Sequence, residues 1–373
     1  MASDSAGTDV GELARLRREY ESSLSWRITR PVRAAGRLGR RLRPAPSPRG
    51  GSDASGQDGF DGWLEHFFGE RLAAIDAACG PEADPAHYAL FRDLDDDLWA
   101  LLLTQQYGLY PHIRALLPAM PDPELQELWN GRSGLPLADQ SASFYRTLRQ
   151  CYTRHGARPL SDATVLDFGC GWGRLTRYLA RDVAPGRLYG CDPVTGILDV
   201  ARASRVPATL ATSDFLPRTL PFDERFDLAF AFSVFTHLSE EAHRQSLRAL
   251  HRSLRPDGIL IATLRPPAYL RHSEPMRPLW EALGPSPDQA LSASGYFFVP
   301  HAAAPTHPQY EGHGEIHYGE TVITMAYLRE HWSPLFTVLD VDLLLNDPYQ
   351  VVVTLRRTEQ GLHENRARPS AGS

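Results

Sequence analysis

The fold of this chain is decided by one short stretch, residues 165–174, which reads Val165-Leu166-Asp167-Phe168-Gly169-Cys170-Gly171-Trp172-Gly173-Arg174. Its first residues are typical of a buried strand, and the residues after it have the spacing of a helix. The alternate glycines allow the backbone to turn sharply and to approach a ligand closely. A helix that follows such a turn directs its first amide groups at the ligand. A glycine triplet alone is weak, but this one lies between a predicted strand and a predicted helix and therefore indicates a small-molecule site.

Short apolar segments alternate with helical ones on both sides of this stretch. The pattern predicts strands at 163–168, 187–191, 207–211, 226–232, 258–264, 336–341 and 350–355, and helices at 174–181, 194–204, 240–254 and 324–331. Short buried strands that alternate with helices are typical of a parallel sheet covered on both faces. Residues 265–320 interrupt this rhythm with many Pro, His and Gly residues, and we interpret them as an inserted cap or acceptor-binding region.

The glycine segment resembles the first motif of class I S-adenosylmethionine (SAM) dependent methyltransferases, an acid followed by Gly-x-Gly-x-Gly. The resemblance implies that Asp167 organises the methionine end of SAM, including its ammonium group. It also implies that Gly169, Gly171 and Gly173 let that end lie against the turn. Cys170 is a candidate cofactor contact within the turn, although a small packing residue is the simpler interpretation of this thiol.

Further positions match the same family. Asp192 closes the second strand, where the family's acid takes both ribose hydroxyls; a carboxylate suits a diol because it accepts two hydrogen bonds. Asp214 follows the third strand and is the candidate acceptor from the adenine amino group, with Phe215 as a backbone or ring contact. Phe232 ends the fourth strand in the segment that lines the site beneath the methyl group. The resemblance implies an α/β fold, a Rossmann-like seven-stranded doubly wound sheet with its last strand antiparallel.

A dinucleotide-binding Rossmann domain is the structural rival, because it also needs glycines and an acid at the second strand end. The glycines here are spaced Gly-x-Gly-x-Gly rather than G-x-G-x-x-G, and Asp167 stands two residues before the first of them. Asp214 after the third strand adds a further match to the methyltransferase pattern. The sequence therefore favours SAM as the cofactor.

The 373-residue chain divides by composition. Residues 1–62 are predicted as a basic amphipathic tail followed by a flexible linker rich in Pro, Gly, Ser and Asp. Residues 63–157 are predicted as a helical N-terminal region. The SAM-binding methyltransferase domain is expected at 158–357 with the insertion at 265–320, and 358–373 as a loose C-terminal tail.

The basic tail suggests a membrane. Residues 27–43 contain seven arginines and no acid, interleaved with aliphatic residues and preceded by Trp26. Such a segment suits an anionic membrane surface; a solvated, disordered tail is the alternative. Residues 25–33 also resemble short tails of bacterial enzymes of surface-polysaccharide assembly. We therefore expect a cytoplasmic protein, with peripheral association at the inner membrane face through residues 26–43 as a hypothesis.

Composition excludes several classes. The net charge of -6 argues against a nucleic-acid partner. The basic residues are all arginine, so no lysine is available as a nucleophile or Schiff base. The four cysteines are scattered without a CxxC pair, which disfavours a disulfide framework or a zinc knuckle. The sequence contains no run of 18 or more apolar residues, so no membrane-spanning helix is predicted.

The acceptor chemistry is the least defined part of the sequence. Methyl transfer from a sulfonium depends largely on positioning, and a hydroxyl acceptor also benefits from a general base. His237 after the fourth strand and His317 before the final sheet elements are the candidate bases, although a packing residue and a loop residue are the simpler interpretations. Together with His307 and His313, His317 matches no strong metal-ligand spacing, so no metal is predicted.

Three functions follow for the whole chain. The first is O-methylation of a glycan or glycan-lipid, with insertion aromatics such as Trp280, Tyr296, Phe297 and Phe298 either binding sugar or forming the core of the cap. The second is O- or N-methylation of a small secondary metabolite. The third is a non-catalytic scaffold with a SAM fold. The first two share every cofactor residue and differ only in the tail and the insertion.

Overall fold

The computed structural model describes residues 54–293, 295–300 and 317–359. The predicted basic tail at 26–43 lies outside the described residues, as do His307, His313 and the C-terminal residues from 360. No helix in these three ranges is both long and apolar enough to cross a membrane.

The chain before the sheet is helical. It forms α1 (Ala54–Cys79), a 3₁₀ turn (Pro85–Phe91), α2 (Asp96–Thr104), α3 (Pro111–Leu116), α4 (Pro123–Asn130), α5 (Gly134–His155) and a second 3₁₀ turn (Leu160–Asp162). Local signals set the ends: the Asp95 carboxylate accepts from the first amides of α2, and Gly131 ends α4 with φ +70°. Helix α1 begins at Ala54, inside the segment predicted as linker up to residue 62, and Phe60 within that segment packs against the helical core.

The central domain alternates as predicted. It contains β1 (Val165–Phe168), a 3₁₀ helix (Thr176–Arg181), β2 (Leu188–Asp192), α6 (Thr195–Ala203), β3 (Thr209–Thr212), β4 (Phe226–Ala231), α7 (Glu240–Ser253) and β5 (Leu254–Leu264). The later elements are α8 (Ala268–His272), a 3₁₀ turn (Glu274–Met276), α9 (Arg277–Ala282), α10 (Pro287–Ser292), β6 (Tyr296–Pro300), β7 (Gly319–Ile323), α11 (Met325–Trp332), β8 (Phe336–Leu343) and β9 (Val351–Arg357).

The sheet has seven strands in the order β3-β2-β1-β4-β5-β9-β8. Strands β1 to β5 pair in parallel, whereas β9 runs antiparallel to both β5 and β8. The order reverses at β1, so the ends of β1 and β4 flank a crevice of the kind in which open α/β sheets bind ligands. The prediction of a seven-stranded doubly wound sheet with an antiparallel last strand is confirmed.

The two faces of the sheet carry separate cores. Leu228 and Phe230 of β4 pack toward the helical region, where the Phe144 and Phe230 rings lie 6.2 Å apart. Ala229 and Ala231 pack on the other face with α7 and α11. Because side chains alternate along a strand, a strand buried on both faces reads as the continuous apolar run seen here.

The segment after the glycine turn differs from prediction, because it is a 3₁₀ helix from Thr176 rather than an α-helix from 174. Its six side chains are all buried. Arg177 donates to the Ala119 carbonyl at 3.0 Å, and Arg181 donates to the Leu94 carbonyl at 2.8 Å. Packing on both sides therefore outweighs the regular helical pattern.

The insertion forms a small layer of its own. Strands β6 and β7 pair antiparallel, and the short helices α8 to α10 precede them. The Tyr296 hydroxyl donates to the Leu238 carbonyl at 2.8 Å, and Phe297 and Trp280 pack against a cluster around Leu270. Of the four aromatic residues that sequence analysis considered for sugar binding, Phe297 and Trp280 thus pack within the cap, and Tyr296 packs against the core of the sheet domain.

Arg181 joins the helical region to the sheet domain. Its fully buried guanidinium donates to the Phe91 and Leu94 carbonyls and to the Tyr145 hydroxyl, and it forms an ion pair with Asp96. Removing one partner of a buried charged network leaves the others without compensation.

We therefore expect Arg181→Leu to lower the free energy of unfolding by roughly 3 kcal/mol. The matched control Arg202→Leu removes an exposed ion pair with Asp199 and should change the stability by less than about 1 kcal/mol. Urea unfolding followed by circular dichroism measures both. Equal effects of the two substitutions would show that the Arg181 network does not hold the two regions together.

Candidate functional site

The glycine turn has a backbone that only glycine adopts easily. Gly169, Gly171 and Gly173 have φ of +76°, +54° and +75°. A Cβ at Gly169 would lie 2.5 Å from Val234 Cγ2, and one at Gly173 would lie 2.7 Å from Val206 Cγ2. At Gly171 a Cβ would meet nothing within 4 Å. The outer glycines thus serve packing, and the middle one faces open space where a ligand can approach.

Asp167 lies at the end of β1 and is 2% exposed. Thr176 Oγ1 donates to its Oδ2 at 2.6 Å. Burial raises the pKa of Asp167 to about 7, against the Thr176 hydrogen bond and the Arg174 charge, which lower it. The carboxylate is therefore held where its charge is poorly solvated, and a cation would stabilise it.

Asp192 at the end of β2 is tied to the same turn. Its Oδ2 accepts from the Gly171 amide and its Oδ1 from the Val194 amide, both at 3.0 Å. Burial raises the pKa of Asp192 to about 6, although these two amides lower it. Each carboxylate oxygen can accept more than one hydrogen bond, so a diol can still donate to this carboxylate.

These residues fit a cationic cofactor. In the part of the chain that the structure describes, neither Asp167 nor Asp192 forms an ion pair. SAM carries an ammonium and a sulfonium charge, which would compensate the two buried carboxylates. Asp167, Asp192 and the open side of Gly171 are thus the groups that would hold it.

Arg174 is a site residue that sequence reasoning missed. Its guanidinium is buried, donates to Gln140 Oε1 at 2.7 Å and lies 4.8 Å from the centre of the Phe232 ring. Gln140 belongs to α5 and also donates to Asp347. The helical region thus reaches the glycine turn. Adjacency of Arg174 to the motif was the available signal, whereas Gln140 and Asp347 are brought together only by the fold.

The other predicted cofactor residues lie around the turn. Asp214 is exposed after β3, and the half-buried Phe215 follows it. Cys170 is buried, and its amide donates to the Cys191 carbonyl at 3.0 Å. The Phe232 ring packs edge-on against Phe144 at 4.7 Å, so it supports the site from the core side. Their contacts with a cofactor stay predictions.

His237 lies at the carboxyl edge of the sheet after β4. Its Nδ1 is 2.7 Å from the Gly319 carbonyl oxygen, and its Nε2 is 3.3 Å from Arg265 Nη2. Because a carbonyl only accepts and a guanidinium only donates, these contacts assign the neutral ring with the proton on Nδ1 and a lone pair on Nε2. A ring in this form can accept a proton at Nε2.

Arg265 belongs to a buried network that sequence reasoning also missed. It forms an ion pair with Glu320 and donates to the Thr236 carbonyl at 3.0 Å. The Tyr269 ring lies 4.2 Å from its guanidinium carbon, and the Tyr269 hydroxyl donates to Glu320 at 2.8 Å. Arg265 directly follows β5 and Glu320 lies in β7, so the cap and the sheet together fix the surroundings of His237.

His317 is less suited to a catalytic part. Its side chain is buried, and its Nδ1 lies 2.9 Å from the Ser239 hydroxyl, which caps α7. Its ring lies 6.4 Å from Phe215. These contacts link the cap to the start of α7, and a catalytic role of His317 stays a prediction.

The turn between β4 and His237 is held by neighbouring strands. Ser233 has φ +60°, and its amide donates to Thr263 Oγ1 at 2.7 Å. Gln350 Nε2 donates to the Ser233 hydroxyl at 3.1 Å.

No group of three or more His, Cys, Asp or Glu within 54–293, 295–300 and 317–359 is arranged to hold a metal ion.

Comparison with known proteins identifies the domain. Residues 165–258 match the sequence model of a methyltransferase domain family. A ubiquinone biosynthesis O-methyltransferase from Methylobacterium is 35% identical over 111 residues, which cover 29% of this chain and 43% of that protein. An uncharacterized methyltransferase from Oceanobacillus iheyensis is 29% identical over 104 residues, covering 27% of this chain and 46% of that protein. The chain thus spans less than half the length of these curated relatives.

Solved structures are more distant. A SAM-dependent methyltransferase from Mesorhizobium loti is 18% identical with a TM-score of 0.38, over 58% of this chain and 98% of that one. Magnesium protoporphyrin IX methyltransferase from Synechocystis is 15% identical with a TM-score of 0.39, over 61% of this chain and 90% of that one. The match at 165–258 confirms the prediction of a methyltransferase domain in this part of the chain.

The raised pKa of Asp167 predicts a pH dependence of stability. The folded protein holds this proton up to about pH 7, whereas the usual value is 3.8, so stability is lost as pH rises through this window. Asp167→Asn keeps an acceptor for Thr176 without the charge. We expect the variant to gain more than about 1 kcal/mol over the wild type between about pH 4 and about pH 8.

Thermal unfolding without cofactor at several pH values measures this gain. Asp192 titrates in the variant as in the wild type, so a smaller slope remains. The control Asp288→Asn changes an exposed carboxylate and should follow the wild type. Parallel curves for the wild type and Asp167→Asn would contradict the assignment of the buried charge.

The glycine contacts predict two different outcomes from the same substitution. Gly171→Ala meets no neighbour and should cost about 1 kcal/mol for its left-handed backbone, but its methyl group enters the ligand space and should weaken SAM binding by about tenfold or more. Gly173→Ala meets Val206 and should destabilise by about 3 kcal/mol. Calorimetric titration with SAM and urea unfolding test both. Unchanged SAM affinity in a folded Gly171→Ala protein would show that the cofactor does not bind against this turn.

Proposed function

We propose that the whole chain is an enzyme that transfers the methyl group of SAM to a hydroxyl group of its acceptor, with His237 as the general base. The observation that carries the proposal is the common edge of the sheet: the turn with Asp167 and Asp192 and the Nε2 of His237 all follow the carboxyl ends of adjacent parallel strands. SAM supplies an activated methyl group when bound. The residues of this chain then need to place the acceptor and take its proton.

Asp167 and Asp192 bind the donor in this proposal. Arg174 and Gln140 close the same side from the helical region, which excludes water from the buried carboxylates. The hydrogen bond from His237 Nδ1 to the Gly319 carbonyl holds the ring proton on Nδ1 and leaves Nε2 as the basic nitrogen. Arg265 holds the ring from the other side at 3.3 Å, a long contact that an acceptor hydroxyl can replace.

A glycan or glycan-lipid hydroxyl is the acceptor that we propose within this class. Support comes from the resemblance of residues 25–33 to tails of surface-polysaccharide enzymes. The curated Methylobacterium relative is named for O-methylation in ubiquinone biosynthesis, which supports oxygen as the acceptor atom. The insertion aromatics give no support to sugar binding, because Tyr296 packs against the sheet domain and Phe297 and Trp280 pack within the cap.

The base assignment predicts that His237→Asn loses catalysis and keeps the cofactor. Asn retains an N–H donor toward Gly319 but has no basic nitrogen. We expect kcat to fall by roughly 10²- to 10⁴-fold with unchanged SAM affinity in calorimetric titration. His66→Asn alters an exposed residue of α1 and should keep the wild-type rate. A wild-type kcat for His237→Asn would show that another group takes the proton of the acceptor hydroxyl.

The acceptor is tested with the full chain and SAM against two pools, lipid-linked glycans and small phenolic metabolites. Release of S-adenosylhomocysteine and a product heavier by one methylene group identify the pool. Turnover with glycans supports the proposal. Turnover with metabolites alone would replace the acceptor class, and SAM binding without turnover in either pool would favour a scaffold.

A further inference from the structure

A cluster of arginines surrounds a cavity at the edge of the sheet opposite the glycine turn. Arg225 precedes β4, Arg252 lies near the end of α7, and Arg357 ends β9. With Leu254 and Pro256 these residues line a cavity of about 290 Å³. Strands β4 and β5 start at this edge and β9 ends there, whereas Asp167 and Asp192 end their strands at the other edge.

The guanidinium groups of this arginine cluster lack acidic partners. Within the described residues, none of the three forms an ion pair. Arg252 donates to the Arg218 carbonyl, and Arg357 donates to the Leu254 carbonyl at 3.1 Å. The buried acid Asp227 is paired with Arg158 at 3.2 Å and with Arg255 at 3.5 Å.

Two donors of the cluster are buried without an acceptor. Arg252 Nε and Arg357 Nε have no hydrogen-bond partner in the structure. Burial and the charge of Arg225 lower the pKa of Arg357, and the charge of Glu359 opposes them. A buried donor without an acceptor costs free energy, and like charges around one cavity repel each other. Both costs are removed by an anion with several oxygen acceptors.

We propose that Arg225, Arg252 and Arg357 form a binding site for a phosphoryl group. Guanidinium groups bind phosphate oxygens through paired N–H donors, and a tetrahedral oxyanion can accept from three directions at once. Leu254 and Pro256 add an apolar wall beside the anion. Because the site lies across the sheet from the methyl-transfer edge, its ligand anchors the protein and takes no part in the reaction.

The test uses the full chain with inorganic phosphate as the probe. Phosphate should raise the melting temperature in a saturable manner beyond sodium chloride of equal ionic strength. Arg225→Gln and Arg252→Gln should each weaken phosphate binding by about tenfold or more. Arg329→Gln removes an exposed arginine of α11 and should bind as the wild type does. Arg225 is exposed and its side chain makes no hydrogen bond that the structure shows, so its substitution leaves the fold intact, which unchanged SAM affinity verifies.

Vesicles distinguish the source of the phosphoryl group. Cosedimentation with phosphatidylglycerol vesicles, absent with phosphatidylcholine and lost in Arg225→Gln and Arg252→Gln, identifies a lipid headgroup as the ligand. Phosphate binding that depends on these arginines, with vesicle binding that does not, identifies a free phosphate or phosphate ester. A phosphate effect that equals that of sodium chloride, or that persists in both variants, overturns the proposal.

Discussion

The burial of two carboxylates at neighbouring strand ends is the constraint on which the site depends. Asp167 and Asp192 are both less than a tenth exposed and are solvated mainly by a threonine hydroxyl and two backbone amides. The glycine turn can supply an amide to Asp192 only because its backbone adopts positive φ. The turn, the strand order and the acids therefore form one arrangement, and its residual negative charge defines the charge of the ligand.

The helical region packs against the segment that follows the glycine turn and supplies its hydrogen-bond acceptors. Arg174, Arg177 and Arg181 follow the glycine turn in one short segment, and each is buried against carbonyl or amide oxygens. The acceptors are Gln140 of α5, the Ala119 carbonyl in the loop before α4 and the Leu94 carbonyl in the loop before α2. A sheet domain alone would leave most of these donors without a protein acceptor, which explains why the segment after the turn is shaped by tertiary packing.

Much of the sheet could be predicted from the sequence, because β1, β4 and the second half of β5 are mostly apolar and the turn between Phe168 and Arg174 has a specific glycine spacing. The antiparallel direction of β9 came from family resemblance, since periodicity has no direction. The surroundings of His237 could not be predicted: Arg265 follows β5, whereas its own partners Tyr269 and Glu320 lie in α8 and β7, and only folding brings them together. The sequence pattern also could not distinguish sugar binding from core packing for Tyr296 and Trp280, because an aromatic side chain is common in both a core and a binding surface.

The buried arginines give the composition of the chain a structural meaning. The chain contains arginine and no lysine, and at Arg181 the choice between the two is not neutral. Its guanidinium reaches two carbonyls, a hydroxyl and a carboxylate that surround it from different sides. An ammonium group presents its donors from a single atom and sheds its proton more readily when buried. A relative in a lysine-rich background would therefore be expected to keep arginine at this position while exchanging it freely on the surface.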